Sequence, residues 1–292
     1  MRLRSRGPTY TAQARGEFRM HRMTTAQGTT YTVEAYNLSH ASENKIHDDE
    51  VARKLGFSGG LVPGVEVYAY ACHPAVRRWG RDWLVRGAME CRFLKPVYDG
   101  GLAVVKAAEA EGALDITVES EGVLCATARA WLAPDATVAP AMDGYPLGAP
   151  PPPEQRPPAD ETSLAPGTAL GIRPFVLTSD KAAQYLRDVR EADSIYAGQG
   201  LAHPGQLLRL CNLVLRENVV LQPWVHTGSK VTNFAVGHVG DELSARGRVA
   251  ADYERKGHRL VDLDIMLIAN GRTVLAHVLH TAVYRLRQLQ EE

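Results

Sequence analysis

Residues 63–79, PGVEVYAYACHPAVRRW, and residues 204–220, PGQLLRLCNLVLRENVV, follow one plan and decide how the chain folds. Each stretch opens with Pro-Gly and continues with apolar residues at helical spacing, which predicts a central helix in each. The two stretches register without gaps at an offset of 141 residues (204 minus 63). Four more pairs fall at the same offset: Gly59 and Gly200, Trp83 and Trp224, Gly87 and Gly228, Phe93 and Phe234. The pattern indicates two similar domains in tandem.

Runs typical of strands follow each predicted helix. In the first half they occupy residues 88–132 and are broken by Asp99-Gly100-Gly101 and Glu121-Gly122, which are turn residues. In the second half Asn270-Gly271 is a strong hairpin signal. Each half is therefore predicted to be an α+β domain, because a curled antiparallel sheet wrapped around one apolar helix buries both surfaces.

A proline-rich segment separates the halves. Residues 133–171 hold ten of the seventeen prolines, and such a stretch favours extended polyproline II over helix or central strand. We therefore expect a disordered tail at 1–22, an N-terminal domain at 23–132, a linker at 133–171 and a C-terminal domain at 172–292.

The composition limits the classes of function. Lysine plus arginine equals aspartate plus glutamate at 33 each, so no net charge attracts nucleic acid or an anionic membrane. The four cysteines show no metal-ligand spacing, and no apolar run is long enough to span a bilayer. We expect a cytoplasmic protein with reduced cysteines, no metal or cofactor, and no nucleic-acid or membrane partner.

Three motifs resemble those of the MaoC-like hotdog family, in which a loop D-x-N-P-x-H precedes a helix that begins at His-Gly. The loop is matched by residues 42–47, SENKIH, and the helix start by residues 61–64, LVPG. Residues 92–97, RFLKPV, are similar to the family's R-F-x-x-P-V strand. The resemblance covers about residues 30 to 132 and implies a double hotdog fold, in which each half wraps a sheet around its central helix.

The resemblance also implies an activity, the reversible hydration of a 2-enoyl thioester to the (R)-3-hydroxyacyl thioester on coenzyme A or an acyl carrier protein. His47 would act as acid and base, with Asn44 beside it, because histidine exchanges protons near neutral pH. The thioester oxygen gathers negative charge, which a free amide at the helix start of Gly64 would stabilise. Pro63 and Val62 would contact the substrate at the same place.

Departures from the family pattern bear on the catalytic residues. Ser42 stands where the family has aspartate, Lys45 where it has proline, and Pro63 where it has histidine. A serine cannot take a proton from water near neutral pH, so hydration needs a substitute or His47 alone. The candidate substitutes are four carboxylates: Glu43, Asp48, Asp49 and Glu66.

The second half is expected to complete the site, since sites in tandem hotdog proteins lie where the halves meet. Its candidate substrate-binding residues are Tyr196, His203 and Asn233. No histidine in this half corresponds to His47, which predicts one active site per chain.

Two other functions stay open on the sequence. A hotdog thioesterase would use Glu66, in the first turn of the predicted helix, to activate water. A non-catalytic protein would bind an acyl thioester without turning it over. In each case a homodimer of tandem chains is expected, because hotdog sheets commonly pair at their edges.

Overall fold

The computed structural model describes residues 28–135 and 137–287, so the expected tail at 1–22 lies outside the described residues. Six α-helices are described: α1 Asp49–Lys54, α2 Gly64–Trp79, α3 Arg81–Arg86, α4 Ser179–Asp188, α5 Ser194–Gln199 and α6 Pro204–Arg216. The strands of the first half are β1 Thr29–Glu34, β2 Gly87–Phe93, β3 Leu102–Ala110, β4 Ala113–Ser120 and β5 Val123–Leu132. Those of the second half are β6 Ala169–Gly171, β7 Phe175–Val176, β8 Val225–Asn233, β9 Glu242–Arg255, β10 His258–Ala269 and β11 Thr273–Arg285.

The described strands form one antiparallel sheet in the order β1-β3-β4-β5-β2-β8-β11-β10-β9-β6, with β7 also paired to β9. The first five strands come from the first half and the remainder from the second. The halves join where β2 pairs with β8, from Ala88 opposite Thr232 to Arg92 opposite Gly228. The predicted α+β architecture of a meander wrapped around a central helix is therefore confirmed in both halves.

The central helices α2 and α6 begin at the predicted Pro-Gly positions and lie side by side. A Cβ atom added at Gly205 would lie 2.5 Å from the Cβ of Ala69, so the helices cross in close contact there. Glycine permits this approach because it has no side chain. One continuous cluster of buried apolar residues spans both halves, so neither central helix has a separate core.

The proline-rich segment packs along the second half. Tyr145 is buried against Met266 and Ile268, and its hydroxyl donates to Asp264 at 2.7 Å. The amide of Ala159 donates to the carbonyl of Val220 at 2.9 Å. These contacts fix the path of the segment. Within the described ranges, no helix is both long and apolar enough to cross a bilayer.

Candidate active site

A cavity of about 670 Å³ lies between the loop at residues 38–47 of the first half and two helices of the second half, α4 and α6. Five loop residues line it: Leu38, Ser39, Ser42, Asn44 and His47. Its volume falls in the range of small-molecule and cofactor sites, roughly 300–1,000 Å³. Ser42, Asn44 and His47 of the predicted loop thus share one cavity, and the second half supplies its opposite wall.

His47 lines this cavity, and each of its ring nitrogens lies within hydrogen-bonding distance of one partner. Its Nδ1 lies 2.7 Å from the carbonyl oxygen of Leu61, which accepts hydrogen bonds and cannot donate one. In the neutral ring Nδ1 therefore carries the proton, and Nε2 keeps its lone pair. Nε2 lies 3.3 Å from the side-chain nitrogen of Asn44. This tautomer leaves a proton acceptor beside the cavity.

The environment of His47 keeps its ring uncharged. The side chain is only 9% exposed, and this burial, partly opposed by the bond to Leu61, lowers the pKa of His47 to about 4. The positive charges of Arg209 and Arg216 add to the lowering. Burial removes the water that would solvate the imidazolium, and the two arginines repel its positive charge. At neutral pH the imidazole of His47 is therefore unprotonated.

Asn44 joins the loop of the first half to the main chain of the second. The amide of Trp224 donates to Asn44 Oδ1 at 3.2 Å, and Asn44 Nδ2 donates to the carbonyl of Trp224 at 3.0 Å. Because an amide N–H can only donate, this pairing fixes which end of the Asn44 side chain carries oxygen. The second hydrogen on Nδ2 is then free to point at His47. Asn44 orients the base.

Ser42 occupies the position that the family resemblance assigns to aspartate, and it lines the cavity. Its hydroxyl donates to the carbonyl of Asn44 at 3.1 Å. The serine therefore stabilises the turn that carries Asn44 and His47.

The carboxylates next to His47 in sequence have other partners. Glu43 is exposed and pairs with Arg156 at 3.0 Å. Asp48 accepts hydrogen bonds from the first amides of α1, and Asp49 accepts one from the Gly60 amide at 2.7 Å. None of these three lines the cavity. They hold the loop and its following helix in place.

Glu66 is fully buried in the first turn of α2 and forms an ion pair with Arg209 of α6. Burial raises the pKa of Glu66. Burial also opposes the charge on Arg209, but the attraction of the Glu66 carboxylate outweighs it, and the pKa of Arg209 is raised. Arg209 therefore stays cationic and lines the cavity, while Glu66 lies behind it.

The start of α2 lies directly behind His47, since the carbonyl that holds the ring belongs to Leu61. The amide of Val62 donates to the carbonyl of Val97 at 2.9 Å, and Pro63 supplies no side-chain cap to the helix. Gly64 packs tightly, since an added Cβ would lie 3.1 Å from Phe93. Val62, Pro63 and Gly64 border the loop and are not among the residues that line the cavity.

The second-half residues predicted to bind substrate lie elsewhere. His203 caps α6 by accepting from the Gly205 amide at 3.0 Å, and the ring of Tyr196 packs against it at 4.6 Å between centroids. Asn233 donates to the carbonyl of Trp83 at 3.1 Å and lines a small second pocket. The structure does not bring these three residues to the cavity that holds His47.

The residues that complete the wall opposite His47 come from one face of α6. Each lies three or four positions from another member of the set, which places them on one side of the helix: Gln206, Arg209, Asn212, Leu213 and Arg216. No motif in the sequence indicates these five residues. A polar stripe on a helix whose other faces are apolar was the available signal.

No protein-family model matches the chain, and no curated protein matches it in sequence. Solved structures do match. A conserved hypothetical protein from Mycobacterium tuberculosis that has a double hotdog fold aligns with a TM-score of 0.57 at 14% identity, over 89% of this chain and 96% of that one. The chain has the double hotdog fold.

Two further structures support this assignment of fold. A MaoC domain protein from Chloroflexus aurantiacus aligns with this double hotdog chain at a TM-score of 0.59 and 11% identity, covering 90% of this chain and 96% of that one. The dehydratase domain of PpsC from Mycobacterium tuberculosis, in complex with C12:1-CoA, aligns at 0.55 and 12% identity, covering 89% and 94%. At such identities the likeness extends to the fold alone.

Proposed function

We propose that this protein adds water to, or removes it from, the acyl chain of a thioester, with His47 as the acid and base. The observation that carries the proposal is the neutral, oriented imidazole of His47 at the wall of a ligand-sized cavity. His47 is the one histidine among the described residues that line this cavity. A base with its lone pair fixed in place is what activation of a water molecule requires.

The proposed reaction uses one proton twice. Nε2 of His47 gives up its contact with Asn44 Nδ2 and takes a proton from water as the water oxygen bonds to Cβ of the enoyl thioester. The electron pair of the double bond moves toward the thioester carbonyl, which becomes an enolate. The imidazolium then returns its proton to Cα, so one water has been added and His47 is neutral again. Dehydration is the same path reversed, and no carboxylate is needed.

The enolate needs a source of positive charge. We keep Gly64 as the proposed amide donor, because the first N–H groups of a helix have no partner within it and carry the positive end of the helix dipole. Since Gly64 does not line the cavity, the thioester carbonyl must then reach beyond the lining residues to the start of α2. The Arg209 cation, held in place by Glu66, adds positive charge near His47. Ser42 and Asn44 would act by orienting His47, since their bonds fix the loop.

We infer that the acyl group is carried on coenzyme A or an acyl carrier protein. The PpsC dehydratase domain, which shares the fold, was solved with C12:1-CoA. The alternative of thioester hydrolysis by Glu66 needs a free carboxylate at the cavity, and Glu66 is paired with Arg209 behind the cavity wall. Binding without turnover is the remaining alternative.

The test is the ultraviolet absorbance of the conjugated enoyl thioester, followed with a panel of short to long 2-enoyl thioesters. Wild type is compared with His47→Gln and with His40→Gln, a matched control. His40 lies in the same loop, is half exposed and pairs with Asp99 outside the cavity. We expect loss of absorbance with wild type and His40→Gln, and none with His47→Gln. Equal rates in all three proteins would refute the role of His47.

A further inference from the structure

The wall opposite His47 is more polar than a hydrocarbon chain would require. Along α6, three polar side chains besides Arg209 face the cavity: Gln206, Asn212 and Arg216. A straight alkyl chain is held by apolar surface, and burying it against amides and guanidinium groups would remove water from them without replacing its hydrogen bonds. The cavity therefore suits an acyl group with a polar or charged end.

Two hydrogen-bond donors that line the cavity have no acceptor among the described residues, and the side-chain oxygens of Gln206 and Asn212 in α6 are unpaired there as well. Nε of Arg216 and Nε1 of Trp224 are buried, and within the described part of the chain neither has a hydrogen-bond partner. Both residues line the cavity. Buried donors in folded proteins are nearly always paired, so each exception calls for a partner that enters from outside the chain. Two free donors call for an acceptor, and a carboxylate is the strongest one.

The charge of Arg216 is also uncompensated, unlike that of Arg209. Two carboxylates have charges that reach Arg216, and each pairs with another arginine: Glu43 with Arg156, and Glu217 with Arg173. No carboxylate of residues 28–135 or 137–287 forms an ion pair with Arg216 itself. A half-buried guanidinium remains charged at any working pH, so its position favours an anion.

The position of Arg216 limits where the anion lies on the substrate. Arg156 donates to the main-chain carbonyl of Arg216 at 2.5 Å and pairs with Glu43, which adjoins Asn44 in the loop that carries His47. Arg209 is already occupied by Glu66, and Lys181 and Arg187 of α4 are exposed, so Arg216 is the half-buried cation of the cavity that is left to receive the anion. A group bound to Arg216 therefore lies near the atoms that react at Nε2 of His47.

We propose that the substrate is a monothioester of a short unsaturated dicarboxylic acid, whose free carboxylate pairs with Arg216 while His47 hydrates the adjacent double bond. This inference rests on the proposed function and narrows it to a substrate class. A chain of this kind places its second carboxylate directly beside the double bond, which matches the nearness of Arg216 to His47.

The test compares two N-acetylcysteamine thioesters, the monothioester of fumaric acid and the thioester of crotonic acid, in which a methyl group replaces the carboxylate. The carrier has no phosphate, so contacts of arginine with coenzyme A do not contribute. Wild type should prefer the fumaryl thioester by about 100-fold in kcat/KM, the size expected for a hydrogen-bonded charge pair. In Arg216→Gln the ratio should fall to about one, and Arg216→Lys should keep part of it.

The matched control is Arg81→Gln, which removes an exposed arginine of α3 that bonds Gln199 outside the cavity. Its ratio of kcat/KM values should equal that of wild type. A partly unfolded variant lowers both rates equally and leaves the ratio unchanged, so loss of folding does not imitate the expected result.

Equal rates with both thioesters in wild type, or equal losses in Arg216→Gln, would overturn the assignment of substrate class while leaving hydration intact. No hydration of either thioester, in a protein that is folded by circular dichroism, would overturn both the substrate class and the proposed function.

Discussion

Lowering the pH should destabilise this protein through His47, by an amount that follows from its environment. Burial holds the pKa of His47 at about 4 in the folded protein, against 6.5 for an ordinary histidine. The unfolded chain therefore binds the proton more tightly. The stability linked to His47 is complete above pH 6.5 and is lost as the pH falls toward 4. One pH unit corresponds to about 1.36 kcal/mol, so the loss between pH 7.5 and 5.0 is about 2 kcal/mol.

The measurement is urea unfolding of wild type and His47→Gln at both pH values. Other buried histidines with lowered pKa, among them His203, His226 and His280, make both proteins less stable in acid. The difference between the two proteins isolates His47. Wild type should lose about 2 kcal/mol more than the variant on going from pH 7.5 to 5.0. Equal losses would mean that His47 titrates as it does in the unfolded chain, and the assignment of a neutral base would be wrong.

Three substitutions test the contacts that build the site. Asn44→Ala removes both bonds to the main chain of Trp224, so urea unfolding should show a loss of about 2–3 kcal/mol, and turnover should fall at least tenfold. Gly205→Ala should cost about 1–3 kcal/mol in thermal unfolding, because its Cβ meets Ala69, and Ala69→Gly in the same chain should restore part of the loss. Glu66→Leu should cost about 3–5 kcal/mol because Arg209 is left without its partner, and adding Arg209→Leu should recover most of it. Full stability in any single variant would contradict the corresponding contact.

The fold followed from local patterns that the sequence displays directly. The Pro-Gly pairs at 63–64 and 204–205 marked the starts of α2 and α6, and alternation marked the strands that surround them. Residues three apart in a strand point to opposite faces, which places His277 and His280 on different sides of β11. His280 is buried beside Ser229, whereas His277 lies across the sheet beside Asp264. Helix starts and the faces of a strand depend on the spacing of residues along the chain, and the sequence displays that spacing directly.

Tertiary packing brings together the residues of the cavity wall opposite His47, and the sequence did not predict them. Helix α4 was missed, and with it the side of the cavity that Tyr185 and Arg187 line. The pairing of Glu66 with Arg209 joins residues 143 positions apart, which no local pattern reveals. The clamp between Asn44 and Trp224 is likewise a contact between the halves. His47 could be found because its loop has a motif, and Arg216 could not because it has none.

The most direct test of the central claim is mass spectrometry of the products formed from a 2-enoyl thioester in water enriched with oxygen-18. Hydration predicts a product that carries one heavy oxygen on its acyl chain and keeps the carrier thiol attached, and it predicts no such product with His47→Gln. Release of the free thiol, with the heavy oxygen in a new carboxylate, would contradict hydration and indicate a thioesterase. Recovery of unchanged thioester across the panel would contradict catalysis altogether.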